Sequence, residues 1–239
     1  MLQFVLGTAG SGKTQWVRGQ VKAAAEQGQE KLMLLVPEQY SFETEKAMLQ
    51  LLGPQHAGCV QVMSFTRLGD LAFRHYGGFG AARLDEGGRN LFMSLALEEM
   101  QQELHLFAER AEEQIPQLLS VLTELKMCDI APEQLVELAG KVPGERLQQK
   151  LRETGLILST YDALVAQSYL DPLDDLQRLQ AVFGAHAFFT GYQIYIDSFK
   201  GFTQQEFKLL GQMLEQAACV TVALTCDTLD EQGGAEVFA

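Results

Sequence analysis

The sequence predicts an α/β fold: a parallel sheet built around a phosphate-binding loop, with an all-helical insertion. Three observations carry this. "GTAGSGKT" (7–14) completes the pattern G-x-x-x-x-G-K-[ST] between the apolar run "LQFVL" (2–6) and the helical stretch "KTQWVRGQVKAAAEQ" (13–27). Residues 1–76 alternate strand-like and helical patterns. From about 86 to 183 apolar residues recur only at helical three- and four-residue spacing.

The loop comes first. Gly7, Gly10 and Gly12 let backbone N–H groups close on phosphate oxygens, with Thr8, Ala9 and Ser11 between them. Lys13 is placed to reach β and γ oxygens, and the Thr14 hydroxyl to ligate Mg²⁺. Next, "KLMLLVP" (31–37) is a continuous apolar run ended by Pro37, as a strand buried on both faces requires. "SFETEKAMLQLLG" (41–53) follows as a helix, with Ser41 as N-cap, Glu43 and Glu45 in the first turn, and Gly53-Pro54 as its stop. "CVQVMSF" (59–65) reads as a third strand and "SFTRLGDLAFRHYGG" (64–78) as a third helix. Such a βαβαβα order implies parallel strands with right-handed crossovers.

The helical block contains "RNLFMSLALEEMQQELHLF", "IPQLLSVLTELKMCDI", "APEQLVELAG", "ERLQQKLRETGLILSTYDALVAQ" and a short helix over 171–183. Strand character returns at "FFTGYQIYIDSF" (188–199), then a helix at 203–217 and a strand at 219–227. The expected division is therefore a P-loop α/β domain over 1–80 and 186–239, cut short at its C-terminal side, and a helical insertion over 81–185.

Composition sets limits on function. The net charge is −13, with +1 over residues 1–80, −9 over 81–190 and −5 over 191–239. No basic stripe of the kind that grips nucleic-acid phosphates is present, so weak DNA binding is expected of the chain alone. Residues 38–67 offer only Lys46 and Arg67. There is no apolar run of membrane-spanning length and no signal-peptide pattern, which points to the cytoplasm. Cys59, Cys128, Cys219 and Cys226 form no C-x-x-C pair and are read as reduced. His56, His75, His105 and His186 stand alone, without ligand spacing. Phe188, Phe189, Tyr192 and Tyr195 are read as sheet packing rather than a base-stacking platform.

A P-loop enzyme also needs a carboxylate at the end of a neighbouring strand and a group that activates water. "IYID" (194–197) supplies Asp197 for the Mg²⁺ shell. The next residue is Ser198, whose hydroxyl titrates far above neutrality and cannot act as a base without a partner. Nucleotide binding is encoded, and no catalytic residue for hydrolysis can be assigned.

"FVLGTAGSGKT", "LLVPEQYSFETE" (34–45), "VMSFTRL" (62–68) and "IYIDSFKGFTQQEF" (194–207), in that order and split by a helical block, resemble the N-terminal part of the AddB/RexB family. That family supplies one of the subunits of a bacterial ATP-dependent helicase/deoxyribonuclease. The resemblance covers essentially the whole chain. It implies a P-loop NTPase of RecA-like type, superfamily 1 helicase domain 1A, that binds ATP and Mg²⁺ but has lost strand separation. It also implies a heterodimer with an AddA-type helicase/nuclease subunit, acting on double-strand breaks in recombination repair. By the same resemblance, Glu38, Gln39, Thr44, Ser64, Thr66 and Arg67 face single-stranded DNA, Asp197 holds Mg²⁺, and Ser198 stands where active helicases carry Glu. The family's nuclease centre and iron–sulfur cluster lie in a far C-terminal region that nothing here matches. Two alternatives stay open: an active ATPase or helicase motor, which needs a Glu beside Asp197, and a P-loop small-molecule kinase, which needs an Arg-rich lid where this chain has an acidic helical block.

Overall fold

A computed structural model describes residues 1–78, 80–108 and 111–226. The last stretch assigned to the α/β domain, 227–239, lies outside the described residues. The chain divides into two compact units. One combines Met1–Tyr76 with the chain from Arg178 onward, and the other is Gly77–Gln177.

In chain order, the first unit opens with β1 (Leu2–Gly7), α1 (Lys13–Glu26), β2 (Leu32–Leu35), α2 (Glu38–His56), β3 (Val60–Met63) and α3 (Phe65–Tyr76). α2 starts earlier than the sequence predicts. Pro37 precedes it with extended backbone, and Ser41 lies in the first turn, donating its hydroxyl to the Glu38 carbonyl at 2.9 Å, instead of capping. The stop at Gly53-Pro54 appears as a break, with Gly53 at φ 66 and ψ 177.

The second unit holds β4 (Ala82–Arg83), α4 (Glu86–Glu99), α5 (Ile115–Met127), α6 (Pro132–Ala139), α7 (Glu145–Ala166) and β5 (Tyr169–Leu170). Its core joins Met93, Ala96 and Leu97 of α4 to Leu118 and Leu122 of α5 and to Ile157, Leu158 and Tyr161 of α7. Gly155 permits the close approach of α6 to α7: a Cβ there would lie 2.8 Å from the Pro132 carbonyl oxygen and 2.8 Å from Val136 Cγ2. Glu153, 3% exposed, accepts backbone N–H bonds from His105, Leu106 and Phe107 and so pins that loop to α7. Lys126, on α5, sits 2.9 Å from Asp162 and 2.7 Å from Asp174. The parallel pairing of β4 with β5 is too short to leave a sequence pattern.

α8 (Asp175–His186) crosses the division between units, and the chain then returns to the sheet with β6 (Gln193–Ile196), α9 (Gln204–Gln216) and β7 (Cys219–Thr225). Residues 188–191 form a turn rather than a strand. There Phe189 is fully buried, with its ring 4.6 Å from that of Phe183.

The sheet order is β1-β7-β6-β2-β3, parallel throughout. Register and alternation sort its side chains onto two faces. Val5, Ala223, Tyr195, Leu32, Leu34 and Val62 pack with Val17 and Val21 of α1 and Met48 and Leu52 of α2. Met33, Leu35, Ile194, Ile196, Val220 and Val222 point to the opposite face and are buried as well. β1, at the sheet edge, leaves Leu2, Phe4 and Leu6 exposed on that second face.

Candidate functional site

The loop between β1 and α1 is shaped by glycine. Gly10 and Gly12 have φ of 78 and 89, the left-handed region that glycine enters without penalty. At Gly7 a Cβ would come within 2.6 Å of Ser11 Oγ, so the serine hydroxyl would have to turn aside. Gly12 precedes α1 without any side-chain cap, and the first turn of α1 carries no acid. The opening N–H groups of the helix and the positive end of its dipole are thus left to an outside anion.

Lys13 folds back over the loop and donates to the Gly7 and Thr8 carbonyls, each at 2.7 Å. A cavity of about 620 Å³ runs from Gly10–Gln15 along Arg18 and Gly19 of α1 to Ala47 and Leu51 of α2. Its size suits a small-molecule ligand.

Asp197 follows β6. Its N–H donates to the Leu35 carbonyl at 3.0 Å, and the residue is 5% exposed. Alternation from Tyr195 directs it to the α1 side of the sheet, the same side as the loop helix. β7 separates β6 from β1, so two strand spacings, roughly 10 Å, lie between the backbones that carry Asp197 and Gly7. Ser198 has φ 68 and donates its hydroxyl to Asp197 Oδ2 at 3.1 Å. The residues fit ATP and Mg²⁺: an uncapped helix N-terminus, a loop turned by Gly10 and Gly12 at positive φ, a lysine, a hydroxyl and a buried carboxylate.

A second depression, about 310 Å³, lies beyond the C-terminal ends of β2, β3 and β6. Glu38, Gln39, Ser64 and Thr66 line it, together with Ser198 and Lys200. Ser64 donates to Glu38 Oε2 and accepts from the Arg67 N–H at 3.2 Å, so one hydroxyl ties α2 to the start of α3. The other two residues expected to face DNA lie elsewhere. Thr44 is buried, 4% exposed, on the inner side of α2. The Arg67 guanidinium is held by Glu45 at 2.8 Å and by the Val62 carbonyl at 3.2 Å, and lines a separate surface hollow with Asp70 and Arg74. Helical spacing accounts for Thr44, since six residues from Glu38 turn it off the groove face; Arg67 is drawn aside by Glu45 and the Val62 carbonyl.

Sequence patterns do not single out Lys200 and Phe199, which stand next to the Asp197–Ser198 pair and line the same groove. Phe199 meets Phe65 at 5.7 Å and stacks with Phe202 at 4.8 Å. Their signal is proximity to Asp197 alone. Arg18 is likewise absent from the residues expected at the site, although its spacing of four from Thr14 sets it on the same helix face. Among the described residues no cluster of His, Cys, Asp or Glu could hold a metal ion by itself, and no helix is long and apolar enough to cross a membrane.

The sequence pattern of the family described as "ADDB, N-terminal" matches residues 4–239. A protein from Thermoanaerobacter sp. (strain X514), named as the B subunit of an ATP-dependent helicase/deoxyribonuclease, is 34% identical over 230 residues, which is 95% of this chain and 20% of that protein. Proteins of the same name from Caldanaerobacter subterraneus subsp. tengcongensis and Acetivibrio thermocellus are 31% and 30% identical, again over 20% of their length and 95% and 96% of this chain. The chain thus spans about one fifth of these relatives. Loop, strand-end carboxylate and helical block coincide with a match across nearly every residue, and the chain belongs to the AddB N-terminal family.

Proposed function

We propose that this chain is a nucleotide-binding, motor-deficient module of an AddB-type protein, within an ATP-dependent helicase/deoxyribonuclease that processes double-strand breaks. The observation that carries the reading is the pairing of a complete, uncapped P-loop with a strand-end carboxylate followed by Ser198 instead of an acid. The loop N–H groups and Lys13 would hold the β and γ phosphates, and Thr14 and Asp197 would position Mg²⁺. When bound, Mg²⁺ supplies charge neutralisation between the phosphates. Lys13 must first release the Gly7 and Thr8 carbonyls, so binding exchanges two internal hydrogen bonds for phosphate contacts. The residue directly after Asp197 is Ser198 and not a carboxylate that could draw a proton from water. The Ser198 hydroxyl is a donor to Asp197, which orients that carboxylate and does not activate a nucleophile.

The groove at the strand ends would guide single-stranded DNA in the assembled complex, with an AddA-type partner providing the motor and the positive charge. That assembly works in the cytoplasm, where the DNA is. The nuclease centre and its iron–sulfur cluster would belong to the remaining four fifths of the full-length protein. The test is ATP binding and steady-state phosphate release by the chain, with Lys13→Ala as control. Mg²⁺-dependent binding that is lost in Lys13→Ala, with negligible turnover, supports the reading. Turnover above about 1 s⁻¹, the lower edge of ordinary enzyme rates, that vanishes with Lys13 overturns it.

A further inference from the structure

Arg18 has no described role in the loop itself, yet it lines the same cavity as Gly10, Gly12 and Thr14. It stands one helical turn after Thr14, so both side chains share a face of α1. Its Nε is fully enclosed and has no hydrogen-bond partner among the described residues. Two other basic side chains of this unit are engaged: Lys13 binds loop carbonyls and Arg67 binds Glu45. Because Arg18 lines the cavity, its guanidinium offers N–H donors to a ligand acceptor there. Across the cavity, Ala47 and Leu51 of α2 present an apolar wall, and Leu51 is 38% exposed. At about 620 Å³ the cavity exceeds what the phosphates over the loop would fill, and beyond the loop it is lined by Arg18, Gly19, Ala47 and Leu51.

We infer that Arg18 is a binding residue for the nucleoside half of the bound nucleotide, donating to base or ribose acceptors while the base lies against Leu51 and Ala47. This rests on the nucleotide reading above and adds the residue that recognises what the loop does not. A guanidinium only donates, so it suits ring nitrogens and carbonyl oxygens of a base and the oxygens of a ribose. Phosphate affinity stays with Gly7–Thr14; Arg18 separates a nucleotide from a bare phosphate chain.

The test compares ATP with inorganic tripolyphosphate, both with Mg²⁺. The readout is fluorescence of Trp16, the chain's single tryptophan, which is 46% exposed and two residues after Thr14. Arg18→Met should weaken ATP about tenfold, the effect of one lost charge-assisted hydrogen bond, and leave tripolyphosphate unchanged. Arg18→Lys should recover part of the loss. Unaltered thermal unfolding of both variants shows that the sheet unit is intact. Equal weakening of both probes would make Arg18 a phosphate contact and overturn the inference. Unchanged ATP affinity in Arg18→Met, while Lys13→Ala abolishes binding, overturns it and leaves the nucleotide reading standing. Failure of the unaltered chain to bind either probe overturns both.

Discussion

Ser198 Oγ donates to Asp197 Oδ2 at 3.1 Å from a backbone held at φ 68, a conformation that a residue with a Cβ seldom adopts. The hydroxyl thus stabilises the one carboxylate placed to face the loop helix. Ser198→Ala removes the donor and keeps the backbone requirement. Mg²⁺-dependent ATP affinity should fall roughly three- to tenfold, in line with about 0.5–1.5 kcal/mol for one hydrogen bond. Affinity measured without Mg²⁺ should stay the same. Titration with a fluorescent ATP analogue in the presence of Mg²⁺ and of EDTA separates the two contributions; an equal loss in both would remove Asp197 from the cation site.

Lys126 offers a test of the helical unit. Burial pulls its pKa down, but the Asp162 and Asp174 carboxylates outweigh this and hold it above the ordinary 10.5. Its stabilising contribution is therefore complete below 10.5 and is lost only as pH rises through the raised value. Asp162 lies above the ordinary carboxylate range because burial disfavours its charge, against the pull of Lys126. Stability tied to Asp162 is thus present at low pH and declines as pH rises through its raised value. Lys126→Met removes the cation between Asp162 and Asp174, which are 35% and 33% exposed, while Asp171 keeps Tyr161, the Leu173 N–H and Arg89. The loss should cost about 1–3 kcal/mol at pH 7, between an exposed and a buried pair. The deficit should shrink toward pH 4.5, because Asp162, whose pKa is raised, takes up a proton and no longer depends on the ammonium. Urea unfolding at the two pH values measures it; a deficit that grows on acidification would contradict the sign.

How much of this is legible in the sequence follows from how local each signal is. The loop, α1 and β2 depend on glycines, an apolar run and Pro37, all within a few residues, and they appear where the sequence predicts them. Asp197 is placed by its strand alone. The start of α2 departs from expectation because Ser41 looks like a cap, while Pro37 four residues earlier already sets the helix entry. The resemblance names Thr44 and Arg67 with Glu38 and Ser64 as DNA-facing, and the structure places Thr44 on the inner side of α2 and Arg67 against Glu45. Arg18, Lys200 and the Lys126 cluster depend on side chains that meet only after folding. No pattern of spacing encodes which guanidinium finds a carboxylate and which is left without one.

The edge strand β1 leads to a prediction about association. Leu2, Phe4 and Leu6 are 43%, 56% and 44% exposed on one face of a parallel sheet, an architecture that ordinarily buries both faces. Beside a strand edge that no described residue pairs, such a stripe favours self-association. The 239-residue chain should form concentration-dependent oligomers, and Phe4→Lys should shift it toward monomer with little change in Mg²⁺·ATP affinity. Sedimentation velocity across a hundredfold concentration range decides this. A strictly monomeric unaltered chain would mean that the stripe is tolerated as ordinary apolar surface.

The last prediction concerns single-stranded DNA. Each phosphate neutralised by Lys or Arg releases counterions, so the number of available cations sets the salt slope. The groove at the strand ends has Lys200 as its cationic side chain against Glu38 and Glu206, and Arg67 is committed to Glu45. With a net charge of −13 around them, the chain should bind a labelled oligonucleotide only weakly at physiological salt. Its log–log salt slope should be about −0.7, the value for one phosphate contact on a single strand. Lys200→Ala should flatten that slope toward zero, whereas Arg67→Ala should leave it nearly unchanged, because Arg67 points away from the groove. Fluorescence anisotropy at two salt concentrations gives both slopes. Submicromolar binding with a steep slope that collapses in Arg67→Ala would show that the hollow around Arg67, Asp70 and Arg74 is the nucleic-acid surface instead, and that the groove lined by Ser64 and Glu38 serves another purpose.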